Sequence, residues 1–220
     1  MSKTLAVGTQ IAIAKTYAAS QAFTSITNAT EAVASFATDP TLVAGDIIEV
    51  TSGWGRLNNR VVRVKTVSGA GPYLVTLESV NTSSTARYPA GSGAGSVRKI
   101  SAWDTCTQIS NVEIGDPTIQ YADGSDYDNP VDIRIPASIQ PPDGSFTFHA
   151  DGTLAWLPTV RDASESTAQT GIRLLTPSGA VTYGNAYWLL SEFPQLPGRT
   201  ETIKQKVTFG FSSLPIGYAS

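Results

Sequence analysis

The sequence predicts a mainly β protein that carries one short helix. Short runs of alternating apolar and polar residues recur along the chain, as half-buried strands require. Turn residues separate those runs, drawn from 19 Gly and 13 Pro in 220 residues. One window differs. Within residues 153–166 (TLAWLPTVRDASES), Leu154, Leu157 and Val160 are spaced three apart, as on one face of a helix. Pro158 interrupts a helix begun at Thr153 unless it sits in or near the first turn.

Taken in order, residues 9–14 (TQIAIA) alternate and form a first strand. Residues 17–28 are small and polar and read as a linker. Residues 29–38 (ATEAVASFAT) would allow a helix through their alanines, but Val33, Ser35 and Phe36 with flanking Thr favour a strand. Residues 46–51 (DIIEVT), 60–67 (RVVRVKTV) and 73–78 (YLVTLE) are clearer strands with hairpin-sized connections. The run 91–96 (GSGAGS) reads as a flexible joint, so residues 25–99 are expected to form a compact all-β unit. A short strand follows at 104–109. Residues 111–144 read as a long, acidic, proline-studded loop with a brief strand at 133–135, and loops of this length are functional or disordered.

Residues 145–150 (SFTFHA) place Phe146, Phe148 and Ala150 on one face and Ser145, Thr147 and His149 on the other. After the helical window, residues 172–176 return to extended chain and stop at the turn Pro177-Ser178-Gly179. Residues 181–193 (VTYGNAYWLLSEF) are apolar on both faces, with Tyr183, Tyr187 and Leu189 on one and Ala186, Trp188 and Leu190 on the other. Such a strand needs a second layer from its own chain or from a neighbouring subunit. Residues 200–212 (TETIKQKVTFGFS) alternate again. Ile203, Val207, Phe209 and Phe211 are expected inside, and Thr202, Lys204, Lys206 and Thr208 towards a polar space.

Composition narrows the function classes. The net charge is −3 and the 15 Lys and Arg are scattered, which argues against binding nucleic acid by phosphate neutralisation. Cys106 is the only cysteine, so no internal disulfide can form, and no apolar run approaches the ~20 residues of a membrane helix. A soluble chain assembled in a reducing cytoplasm is expected. His149, the only histidine, has no evident nucleophile and carboxylate to complete a triad. Cys106 reads as a core filler. An EF-hand through Asp123, Asp126 and Asp128 fails, because Asp128 and Arg134 stand where Gly and Glu are required. No catalytic residue, cofactor or metal site is expected.

From Thr105 onward the order of elements resembles the tail tube (major tail) proteins of long, non-contractile-tailed bacteriophages. The resemblance rests on TCTQISNVEIGDPTIQYADGSDYDNP, SFTFHADGTLAWLPTVRDA, GIRLLTPSGAVTYGNAYWLL and TETIKQKVTFGFSS. It implies the tail-tube fold, a β-sandwich or half-barrel with one short helix that closes into a ring. Residues 1–24 and 100–220 would form the tube domain. Residues 25–99 depart from the simple pattern and would be a small all-β module inserted on the tube exterior. That module is similar to those of other phage tail proteins through Gly45-Asp46-Ile47-Ile48-Glu49-Val50 and Leu57–Arg60.

The family role implied is a structural virion protein whose hexameric rings stack into the tail tube, the conduit for viral DNA. Its partners would be further copies of itself, a tape-measure protein in the lumen, and the tail terminator and tail-tip proteins. DNA would be present only in transit, with no stable membrane insertion. The long-loop residues Tyr121, Asp123, Asp126, Tyr127, Asp128 and Asp132 would reach a neighbouring ring. Tyr183, Tyr187, Trp188 and Leu190 are the subunit-interface candidates, and Thr202, Lys204, Lys206 and Thr208 the lumen candidates. A neutral to acidic lumen is expected, because clustered cations would hold passing phosphates. The tube of a contractile tail or secretion device shares this architecture, and a tail-associated carbohydrate-binding module is the binding-protein alternative.

Overall fold

The computed structural model describes residues 7–125, 128, 131–196 and 201–219. The strands are β1 Gln10–Tyr17, β2 Gln21–Phe23, β3 Ser25–Ile26, β4 Val33–Phe36, β5 Ile47–Ser52, β6 Arg60–Ser68, β7 Tyr73–Leu77 and β8 Gly95–Cys106. They continue with β9 Ile109–Ile114, β10 Thr118–Asp123, β11 Arg134–Gln140 and β12 Asp143–His149, then α1 Leu157–Ser166, β13 Thr170–Leu175, β14 Val181–Leu190, β15 Lys204–Phe211 and β16 Ile216–Tyr218. A mainly β chain with one helix is what the alternation and the lone three-residue spacing predict.

One antiparallel path joins most strands, in the order β3-β4-β7-β6-β5-β8-β1-β13-β14-β15-β12-β9, with β16 on β14 and β2 on β8. The path rolls up on itself. The Arg63 amide of β6 donates to the Tyr218 hydroxyl of β16 at 2.9 Å, and that hydroxyl lies 3.3 Å from the Glu78 carbonyl. The Ser213 hydroxyl reaches the Asn59 carbonyl at 3.2 Å. Strands distant along the sheet thus close around an interior.

Two cores result, on opposite faces of the shared strands. Ile11 and Ile13 of β1 belong to one and Ala14 to the other. On β14, Tyr183 points into the first core, while Ala186, Trp188 and Leu190 point into the second. The chain covers both faces of β14 from Tyr183 to Ala186; beyond that Trp188 and Leu190 stay buried while Tyr187 and Leu189 on the opposite face are exposed. The second core packs α1 through Leu157, Val160 and Ala163 onto the aromatic cluster of Phe146, Phe148, Trp156, Trp188 and Phe209. Phe148 and Trp156 meet edge-on with centroids 4.8 Å apart. Pro158 lies in the first turn of α1, where its missing N–H costs nothing, so the helix begins at Leu157 rather than Thr153.

Three expectations change. First, residues 25–99 do not build a core of their own. Phe36, Ile48, Val50, Trp54 and Val75 share the first core with Ala14, Ile100, Tyr183, Ile216 and Tyr218. The proposed division at 99/100 falls inside β8, whose first half pairs with β5 and second half with β1. Second, the run 91–96 is no flexible joint. A Cβ on Gly95 would collide with the Thr51 carbonyl and one on Gly93 with Ile26 and the Trp54 ring, so these glycines permit close packing. Third, the linker at 17–28 contains β2 and β3. Short polar strands at a sheet end lack the alternation that reveals strands from sequence.

Candidate assembly surfaces

The long acidic loop is largely a hairpin. β10 and β11 pair antiparallel from Thr118↔Gln140 to Asp123↔Arg134, with a register shift after Gln120, and form a two-stranded sheet apart from the main path. Every described residue of both strands is exposed. Ile119 and Ile139 stand opposite each other at 50% and 48% exposure, beside Tyr121 at 53%. Ile133 and Ile135 are also open to solvent. A lone hairpin has marginal stability in water, and this one presents apolar side chains as well. The sequence hid it because both faces of its strands are exposed and no alternation marks them.

Of the predicted loop residues, Tyr121 and Asp123 lie in β10, and Asp128 and Asp132 are exposed near the tip. Asp126 and Tyr127 fall outside the described residues. Hydrogen bonds from Ser125, side chain first and then amide, hold the Asp123 carboxyl below its ordinary range.

The interface candidates separate. Tyr183, Trp188 and Leu190 are buried within the chain, because each faces one of its two cores. Within the single chain these three side chains therefore serve its cores and not its surface. Tyr187 is 47% exposed and its neighbour Leu189 63% exposed. Gln169 Nε2 donates to the Tyr187 hydroxyl and steadies the ring. Leu189 shares the face of Tyr187 by strand parity and completes an apolar patch that the candidate residues omitted.

The lumen candidates share one sheet face, polar across β9, β12 and β15 and bordered on β14 by Leu189 opposite Thr208 and Tyr187 opposite Gly210. Lys204 pairs with His149, Lys206 with Thr147 and Thr208 with Ser145 across β12 and β15. The next strand brings Asn111 and Glu113 beside Thr147 and Ser145. Asp143 joins the same face, since a Cβ on Gly210 would touch its carboxylate. The Thr202 hydroxyl lies 2.9 Å from His149 Nδ1. Neither Lys204 nor Lys206 forms an ion pair among the described residues, but two carboxylates on the face match the two ammonium groups in charge. Ile203, expected inside, is exposed because it precedes β15 and lies beyond the second core.

Elsewhere the ionisable groups serve the fold. Burial pushes the Cys106 thiol up to about 12, in keeping with a core filler. Burial also raises Glu49, against the opposing pull of Arg98. Arg98 bonds that carboxylate through its guanidinium, which also lies 4.1 Å over the Tyr17 ring. The Tyr17 hydroxyl accepts the Gly171 amide at 2.8 Å, and burial carries its pKa up to about 12. This cluster ties β5 and β8 to β1 and β13. Among the described residues, no group of three or more His, Cys, Asp or Glu is placed to hold a metal ion. No helix there is long and apolar enough to cross a membrane.

The fold and its surfaces define a mainly β protein with an exposed two-stranded hairpin set apart from its main sheet. The phage tail tube protein (TTP) family matches residues 52–220, and the chain belongs to that family. The match begins at Ser52, so β6, β7 and β8 lie within it. A comparison with curated proteins returned no match. Family membership makes the chain a structural component of a phage tail, and hence of the virion.

Proposed function

We propose that six copies close into a ring and that rings stack into the tube through which viral DNA passes during ejection. The observation that carries this reading is the β10–β11 hairpin. It offers exposed Ile119, Tyr121, Ile135 and Ile139 on a two-stranded sheet with no layer of its own. A neighbouring copy that covers these side chains orders the hairpin and shields its edges. Tyr121, Asp123, Asp126, Tyr127, Asp128 and Asp132 then belong to the contact between rings. Tyr187 serves the contact within a ring, together with Leu189.

In this reading the face bearing Thr202, Lys204, Lys206 and Thr208 lines the bore. Its lysines are matched in number by Glu113 and Asp143, which keeps the lining near neutral and lets phosphates slide. Strands β3 to β7 form the outer wall, sharing the first core with the tube strands. A tape-measure protein occupies the bore before DNA does, and terminator and tip proteins cap the two ends. Assembly takes place in the host cytoplasm, where Cys106 stays reduced, and the tail is of the long, flexible, non-contractile kind.

Negative-stain imaging of the purified chain tests this. Tubes built of six-fold rings are the expected result. Monodisperse single molecules at high concentration, with no ring or tube, would overturn the reading.

A further inference from the structure

A second surface lies at the base of the hairpin, and its chemistry complements the tip. A cleft of about 390 Å³ opens between the turn after β5, the start of β6, strand β11 and the turn after β15. Arg56 and Arg60 line it together with Tyr88, Ser138 and Ser213, and no carboxylate does. Arg60 Nε is buried and has no hydrogen-bond partner. A guanidinium stays charged under all ordinary conditions, and a buried donor left unsatisfied is costly. Burial lowers the Arg60 pKa, which marks a cation without compensation. Arg56 has no ion pair among the described residues either.

The walls are set in advance. Trp54 Nε1 donates to the Pro89 carbonyl at 2.7 Å and the indole packs edge-on against Tyr88. The Ser213 hydroxyl is fixed on the Asn59 carbonyl. Two guanidinium groups beside the Ser138 hydroxyl make a donor set for a carboxylate, the geometry in which arginine excels.

We infer that the Arg56–Arg60 cleft receives an aspartate from the hairpin tip of a second copy. This rests on the tube reading above and names the acceptor for its projecting hairpin. Residues 121–134 contain four Asp against one Arg. Asp123, Asp128 and Asp132 sit at the tip, while Ser138 and Ile139, at the hairpin's other end, help to line the cleft. A six-residue strand spans roughly 20 Å, so the tip cannot reach its own cleft without unzipping β10 from β11. A contact from tip to base joins two different patches, so it can repeat head to tail from copy to copy.

The test uses cysteine pairs in the full chain, with buried Cys106 left in place as an unreactive background. R56C is combined in turn with D123C, D128C and D132C, and assembled protein is oxidised mildly. A disulfide-linked ladder that collapses on reduction, from at least one pair, is expected. Separately, R56D should raise the concentration needed for assembly at least tenfold, and adding D128R should bring it back to within threefold of the unaltered chain. Arg56 is exposed in a turn, and the melting temperature of each variant checks that folding is intact. Tubes that form without a ladder from any pair, and an R56D chain that assembles at the ordinary concentration, would overturn the acceptor and leave the tube reading standing. Failure of the unaltered chain to form tubes would defeat both.

Discussion

Replacing Ile119 and Ile139 by Thr isolates the apolar part of hairpin docking. The two residues face each other across β10 and β11, each about half exposed in the single chain. Threonine keeps the β-branch and the strand preference, so the hairpin's own conformation is retained. Each substitution removes about 1 kcal/mol of burial and adds a hydroxyl whose desolvation costs about 1 kcal/mol more. For the pair that is about 4 kcal/mol, or roughly a thousandfold in the association constant. Burial at an interface never converts fully into affinity, so a rise of at least ~100-fold in the critical concentration is expected. Sedimentation of tubes over a concentration series reads it directly. The melting temperature of the dilute chain should stay within about 2 °C, because neither side chain belongs to either core. A critical concentration unchanged within threefold would refute the reasoning, since the exposed isoleucines would then be covered by nothing.

Three further outcomes test the fold that presents these surfaces. Glu49 has its folded-state pKa raised by burial, so its contribution is full below its unfolded pKa and is lost as pH rises through the folded value. The melting temperature of the unaltered chain relative to Glu49→Gln should therefore climb as pH falls from about 7 towards 4; a flat difference would contradict the burial. Tyr218→Phe removes the acceptor of the Arg63 amide and should cost about 1–2 kcal/mol, or about 2–6 °C; no loss would mean that the sheet is not closed there. Cys106 should resist a thiol reagent at pH 8 in the native chain and react only at the rate of unfolding; fast labelling would place it outside the second core.

The strands that alternate were legible in the sequence, and the reasons are specific. Residues 145–149 keep one face in a core and the other more open, so period two survives in them, whereas in β6 Val61 and Val62 are both buried and a bulge between Val64 and Thr66 breaks the pattern. The helix was legible through Leu157 and Val160, and Pro158 marked its first turn. The rolled sheet was not. Whether β14 finds its second layer in its own chain depends on Tyr218 and Tyr183 meeting 35 residues apart in sequence, and no local pattern encodes that. The same blindness hid from the sequence that Tyr183, Trp188 and Leu190 are buried within the single chain. The hairpin escaped because both of its faces are exposed, which removes the alternation that sequence reading relies upon. Arg56 and Arg60 carried a weak signal, two cations four apart with no acid between them, but only the cleft gives that spacing a meaning.

Amide hydrogen exchange of residues 118–123 and 134–140, in dilute single chains and in assembled material, examines the completion of the hairpin most directly. The account predicts fast exchange in the free chain and at least ~100-fold slowing on assembly, with β8 and β14 protected in both states. Equal exchange of the hairpin in both states would show that another copy never covers it.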